Sequence, residues 1–244
     1  MKRKPDDSAV ADLVAKVEPA VRDVSITRLV AGAIGLVVLL LALGALAAAV
    51  RSQELDALDR FASPFMHDFA SPPLDAVMLA ATFLGSNTVL VPLAIATVGW
   101  TGFRGRPRTA LIVAIAVVGS ILLNGAMKVL VQRPRPKLPW SPVLPDYSFP
   151  SGHSMNSLVV FLTIAFVVWI VRGRRAGIVA GVVAVLLSLL IGISRVYLGA
   201  HYLTDVGGGY IAAVMWLLIV ATAFDAGPRA YKWRRTRPER IRRQ

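Results

Sequence analysis

The sequence predicts an all-α protein, a bundle of six transmembrane helices with interfacial helices between spans one and two. Three observations carry this. Hydrophobic residues make up 56% of the 244 residues and charged residues only 17%, against roughly 25% charged in soluble domains; mean hydropathy is +0.63. Uncharged runs recur at the length, about 17–25 residues, that a helix needs to cross a bilayer. Charges gather at the chain ends and in short connections between those runs, where membrane proteins keep them.

Residues 1–28 read as a polar cytoplasmic arm at the membrane surface, with helical apolar spacing over Ala9–Val21 and a break at Pro19. The arm is too long and too charged for a simple signal peptide. Leu29–Val50 is the first span. Ser52–Pro73 is a polar, acidic connection carrying short helices that lie at the interface. Ala76–Phe103 is uncharged, but Gly85-Ser86-Asn87 in its middle reads as a helix stop and restart. That gives an interfacial helix over Leu74–Leu84 and the second span over Asn87–Phe103, with one tilted helix as the alternative. Thr109–Met127, Ser154–Val171, Ala176–Ile193 and Val206–Phe224 are spans three to six. Gly207-Gly208-Gly209 in the last would weaken a helix in water, but small residues let membrane helices approach closely. The six-span domain covers residues 29–226, and a basic cytoplasmic tail with a disordered end covers 227–244.

Six spans put both termini on one side. Placing the arm, Arg104/Arg106/Arg108, Arg172/Arg174/Arg175 and the tail on that side leaves Arg51, Arg60, Lys128, Arg133, Arg135, Lys137 and Arg195 opposite. The side with the excess is cytoplasmic by the positive-inside rule. The net charge of +13 is therefore a membrane signature, able to attract anionic headgroups, and no folded nucleic-acid module accompanies it. The absence of cysteine excludes a disulfide framework, a thiol nucleophile and cysteine metal ligands. Oligomeric state is not legible; Gly177-x-x-x-Gly181 is a packing signal rather than evidence for a dimer.

The connection between spans three and four opens at Lys128, continues through Arg133-Pro134-Arg135-Pro136, and closes with Pro150-Ser151-Gly152-His153. The connection between spans five and six runs Ser194-Arg195-Val196-Tyr197-Leu198-Gly199-Ala200-His201-Tyr202-Leu203-Thr204-Asp205. Successive spans are antiparallel, so both connections lie on one face, the extracytoplasmic one. Lys128, Arg135 and Arg195 stand there against the charge rule, which points to chemistry. With a helix from Leu203, His201 and Asp205 share a face at i, i+4, and the carboxylate can fix the imidazole's tautomer. Ser151 can cap the helix that follows it while the first N–H groups of that helix meet an anion. Three cations and two histidines match what phosphoryl transfer needs: positive charge on the equatorial oxygens, and an attacking and a leaving group in line.

Lys128, six residues, Arg135-Pro136; Pro150-Ser151-Gly152-His153; and Ser194-Arg195, five residues, His201, three residues, Asp205: these three elements, in this order and spacing, resemble the signature of the type 2 phosphatidic acid phosphatase (PAP2) superfamily, and the six-span layout resembles its integral membrane branch. The resemblance implies a lipid phosphatase that uses no metal or other cofactor and works through a phosphohistidine. By motif position His201 is the nucleophile, Asp205 orients it, and His153 protonates the leaving oxygen. Lys128, Arg135, Arg195, Ser151 and the Gly152 N–H bind phosphate. The partners implied are the bilayer and a phosphorylated lipid: a polyprenyl diphosphate such as undecaprenyl diphosphate, phosphatidylglycerol phosphate, phosphatidic acid or diacylglycerol diphosphate. The compact size and outward site resemble bacterial members that recycle the cell-wall carrier lipid.

Competing readings are weaker. A metal on His153, His201 and Asp205 uses common ligand types, but the neighbouring cations repel it. A serine hydrolase built on Ser151, His153 and Asp205 lacks the Gly-x-Ser-x-Gly elbow. Vanadium haloperoxidases share the motifs but are soluble. A lipid phosphotransferase would share every motif and differ only in product. An anion transporter requires ionisable groups deep in the spans, where this chain has almost none. Arg133 reads as a solvated charge, His67 as an interfacial residue, and Asn124 as a hydrogen-bonding residue between helices.

Overall fold

The computed structural model describes the backbone of residues 7–235 and the side chains of Thr27 and residues 30–224. Among the described residues there are eight α-helices and no strand: α1 (Asp7–Arg51), α2 (Asp56–His67), α3 (Pro72–Leu84), α4 (Asn87–Phe103), α5 (Pro107–Val131), α6 (Gly152–Arg172), α7 (Arg174–Tyr197) and α8 (Leu203–Arg235). Five segments, within α1, α5, α6, α7 and α8, are long and apolar enough to cross a membrane; α3 and α4 together make a sixth candidate, bent by 44°. The chain is thus an all-helical integral membrane protein with five or six candidate spans. Large apolar side chains such as Leu41, Leu122 and Leu186 stand exposed on these helices, where lipid rather than water would meet them.

The core lies where α5, α6 and α8 meet: Val113 and Ala116, Met155 and Val159, and Ala212 and Ala213 have no exposed surface. α7 pairs with α6, α1 packs on α8, and α3 packs on α7. Close approach of α6 and α8 depends on Gly209, because a Cβ there would meet the Ser151 carbonyl oxygen at 2.7 Å. Gly177 does the same between α7 and Trp169 of α6, so the Gly177 signal serves packing within the chain.

Helix ends correct several expectations. The Gly85-Ser86 stop separates α3 from α4, so the single tilted helix does not form. α5 and α7 run past their apolar segments to include Lys128 and Arg195 in their last turns, because long basic side chains extend a helix while the charge reaches outward. α1 continues through Pro19; a proline removes one hydrogen bond and bends a long helix more readily than it ends it. α8 extends into the basic tail; the expected disordered end, residues 236–244, lies outside the described residues.

Candidate active site

The segment after α5 is built from prolines. Gln132, in the left-handed region at φ 52, ends the helix, and Pro134 and Pro136 then hold an extended course that delivers Arg133 and Arg135 to opposite sides of one pair, His201 and Asp205. On the other strand of chain, Gly199 at φ 64 makes the turn after α7, a conformation that disfavours other residues. There the Ala200 and His201 N–H groups donate to the Arg195 carbonyl at 3.0 and 3.2 Å. His201 therefore sits just ahead of α8 rather than on it.

His201 is 1% exposed. Its Nδ1 faces Asp205 Oδ2 at 3.6 Å, with Ser148 Oγ at 3.4 Å from the same nitrogen. Ser148 donates to Asp205 Oδ2 at 2.5 Å and the Tyr202 N–H donates to it at 2.9 Å. On the far side, Arg135 Nη1 lies 3.1 Å from His201 Nε2. A guanidinium can only donate, so Nε2 carries the lone pair and Nδ1 the proton. Burial, reinforced by Arg135 and Arg195 and opposed by Asp205, pushes the His201 pKa down to about 4. The ring is then neutral at physiological pH, whereas in an unfolded chain it would titrate near ~6.5. Histidine-labelled NMR should show the resonance missing from His201→Ala holding its neutral shift down to about pH 5; a midpoint near ~6.5 would contradict this environment.

The expected phosphate-binding groups converge on the same place. Lys128 and Arg135 are both largely buried, and His153 lies within electrostatic reach of Arg195, His201, Arg135 and Lys128. Ser151 caps α6, its Oγ accepting from the Ser154 N–H at 3.4 Å, while its own N–H donates to the Asp205 carbonyl at 3.0 Å and so fixes α6 to α8. Gly152 opens α6 against Asn124, whose side-chain amide donates to the Pro150 carbonyl just ahead of α6 at 3.3 Å and to Met155 Sδ of α6 at 3.8 Å, the latter the bond to a neighbouring helix expected of it. Arg195 is buried; its Nη1 donates to Thr82 Oγ1 of α3 at 2.5 Å, and its Nε has no hydrogen-bond partner among the described residues. A Cβ on Gly85 would lie 3.3 Å from the His153 ring, so the break between α3 and α4 backs the site from that side.

One sequence reading is overturned. Arg133 is not solvated: it is 7% exposed, its Nη1 bonding Asp205 Oδ1 and Thr204 Oγ1 at 2.7 and 2.8 Å and its Nη2 bonding Asp59 Oδ2 at 2.7 Å. Its guanidinium lies 4.0 Å from the centre of the Tyr202 ring. Burial works against its charge, but Asp205 and Asp59 outweigh burial and raise its pKa. The reason is the partner: a fork between two buried carboxylates is better placed there than in water. His67, at the end of α2, stacks on Trp140 with ring centres 4.0 Å apart.

Four further residues near the site carried no motif. Asp59 of α2 accepts from the Thr204 N–H at 3.0 Å, capping α8 from another helix. Ser148 and Thr82 contact Asp205 and Arg195 as described. Asp146 pairs with both Lys128 and Arg135. Burial opposes its charge, and the two cations outweigh it, holding the carboxyl down to about 2. A surplus of acids in residues 52–75 opposite a basic loop is the one sequence signal that could have suggested Asp59. No group of histidine and carboxylate side chains suited to a metal occurs among the described residues.

A bundle of membrane-length helices with a buried histidine close to arginine and lysine side chains defines an integral membrane protein with a cationic candidate active site. Residues 109–228 match the family described as the PAP2 superfamily. Phosphatidylglycerophosphatase B of Bacillus subtilis is 33% identical over 190 residues, 74% of this chain and 89% of that protein. Undecaprenyl-diphosphatase BcrC of the same organism is 28% identical over 148 residues, 58% and 70% of the two. The crystal structure of a transmembrane PAP2-type phosphatidylglycerolphosphate phosphatase from B. subtilis superposes with a TM-score of 0.70 at 30% identity, covering 79% of this chain and 96% of that one. Aquifex aeolicus LpxE shares the fold at a TM-score of 0.54 and 24% identity, over 67% and 94% of the chains. The chain belongs to the PAP2 superfamily and is a metal-independent lipid phosphatase of its integral membrane branch.

Proposed function

We propose that the enzyme removes the terminal phosphate of a lipid in two displacements through a phosphohistidine on His201. The observation that carries this is the state of the ring: Nδ1 faces Asp205 and Ser148, and Nε2 offers its lone pair toward Arg135. Lys128, Arg135 and Arg195, with Ser151 and the Gly152 N–H, hold the equatorial oxygens, where charge accumulates in the transition state. Nε2 attacks phosphorus as the bond to the lipid oxygen breaks, and His153 gives that oxygen its proton. Asp205, itself held by Arg133, stabilises the positive charge left on the ring. Water then attacks the phosphohistidine, His153 takes the proton back, and inorganic phosphate leaves with Nε2 restored.

The charge asymmetry supports six spans with α2 and α3 at the interface, both termini cytoplasmic and the site on the outer face. The lipid's tails would then stay in the bilayer while the headgroup enters the pocket. Among headgroups, phosphatidylglycerol phosphate leads and undecaprenyl diphosphate follows, in the order of identity to the two B. subtilis relatives. The test is phosphate release by purified enzyme in EDTA from these two lipids, phosphatidic acid and diacylglycerol diphosphate. Release dependent on His201 supports the reading, and the preferred lipid names the substrate. Transfer of phosphate to a lipid hydroxyl with none released would make the enzyme a phosphotransferase. His153→Ala should slow release by about 10²–10⁴-fold, the usual worth of a positioned general acid, and should slow it least for a substrate with an acidic leaving group. An equal loss for all leaving groups would remove His153 from the proton-transfer step.

A further inference from the structure

Asp146 holds the two cations that the proposed reaction assigns to substrate. Its Oδ1 accepts from Arg135 Nη2 at 2.5 Å and Nε at 3.2 Å, and its Oδ2 pairs with Lys128. The carbonyls of Asp146 and Tyr147 add bonds from Arg135 Nε and Lys128 Nζ at 3.0 and 2.6 Å. A carboxylate across a guanidinium and an ammonium presents two oxygens much as a phosphate does. This contact differs from the other acid pairs near His201. Asp59 and Asp205 are sealed in the core, whereas the Asp146 side chain is 51% exposed on a stretch between α5 and α6 that contains no helix. It can leave its cations without opening the bundle.

We infer that Asp146 is a selectivity residue: it occupies Lys128 and Arg135 until an anion of higher charge displaces it, so that the site admits a terminal phosphate and rejects phosphodiester headgroups. This rests on the proposed phosphate site. A phosphodiester carries one negative charge, the same as the carboxylate it would replace, and gains no Coulomb energy by the exchange. A phosphate monoester carries about −1.5 to −2 near neutrality and gains on both cations. Such discrimination has a purpose at a cationic pocket in a bilayer, because ordinary phosphodiester lipids far outnumber any phosphomonoester. The low pKa of Asp146, about 2, keeps it ionised throughout the physiological range, so displacement is by an anion and not by a proton. Arg195, whose Nε is unpartnered among the described residues, offers the incoming phosphate its first cation.

The test compares wild type, Asp146→Asn, Asp146→Ala and Arg195→Ala in release of the dephosphorylated lipid from short-chain phosphatidic acid. Inorganic phosphate and short-chain phosphatidylglycerol are the two inhibitors. Wild type should be inhibited by phosphate and hardly by phosphatidylglycerol. In both Asp146 variants the inhibition constant for phosphatidylglycerol should fall by about tenfold or more, the worth of one charge-assisted hydrogen bond, and that for phosphate should fall as well. Unchanged or weakened inhibition by both anions in folded Asp146 variants would overturn the inference; weakening is the result expected if Asp146 only positions the cations. Full turnover by Arg195→Ala together with no phosphate inhibition of wild type would instead overturn the phosphate site itself.

Discussion

Replacing His201 by alanine is expected to stop turnover, by roughly 10⁴-fold or more, in a protein that still folds. Fold is retained because Asp205 does not depend on the ring for its charge partners. Arg133 pairs with one of its oxygens, and Ser148 and the Tyr202 N–H donate to the other, so no buried carboxylate is orphaned when the imidazole goes. Lipid binding should persist, since the groups expected to hold phosphate are elsewhere. Phosphate release and thermal unfolding of the same purified sample check both halves. Turnover near that of wild type, in protein that melts normally, would exclude His201 as nucleophile.

Arg133→Gln is expected to damage both stability and rate. The guanidinium neutralises two carboxylates, Asp59 and Asp205, that are 2% and 0% exposed, and removing one partner of a buried charge pair typically costs about 3–5 kcal/mol. The melting temperature should fall accordingly. Because Arg133 touches Asp205 and not the pocket cations, kcat should fall with little change in KM. A displacement of His201 by as little as ~1 Å can reduce the rate by about 10²-fold. Arg133→Lys keeps the charge but loses the fork, and should fall between the two. Melting curves with kcat and KM measured separately decide this. A loss confined to KM would mean that Arg133 binds substrate directly; no loss at all would mean that the buried network is inert.

Residues with fixed spacing were the legible part of the candidate site. Lys128, Arg135, Ser151, Gly152, His153, Arg195, His201 and Asp205 lie in three short stretches, and antiparallel spans alone bring those stretches to one face. The helices were legible for a related reason: hydropathy reports burial in lipid without any knowledge of neighbours. Arg133 was misread because its sequence setting, between a glutamine and a proline in a polar loop, is that of a solvated charge. Its partners Asp59 and Asp205 are 74 and 72 residues away, and no local pattern records a pairing at that distance. Asp146 and Ser148 escaped for the same reason, since nothing in Leu144-Pro145-Asp146-Tyr147-Ser148 repeats or alternates. The helix ends at Lys128 and Arg195 were set short because a charge was taken as the edge of a span, although a basic side chain can sit in a last turn and still reach the pocket. Pro19 was overread, a residue that bends long helices being taken as one that ends them.

The measurement closest to the central claim is a rapid acid-free quench of the enzyme turning over a lipid labelled in its terminal phosphate, followed by mapping of the label. A phosphoramidate is stable in alkali and lost in acid, which separates it from phosphoserine or a phosphoaspartate. The expected result is alkali-stable label on the peptide that contains His201, formed at the rate of the first lipid release and absent from His201→Ala. Label on any other residue, or a burst of dephosphorylated lipid with unlabelled His201, would contradict the two-step reaction.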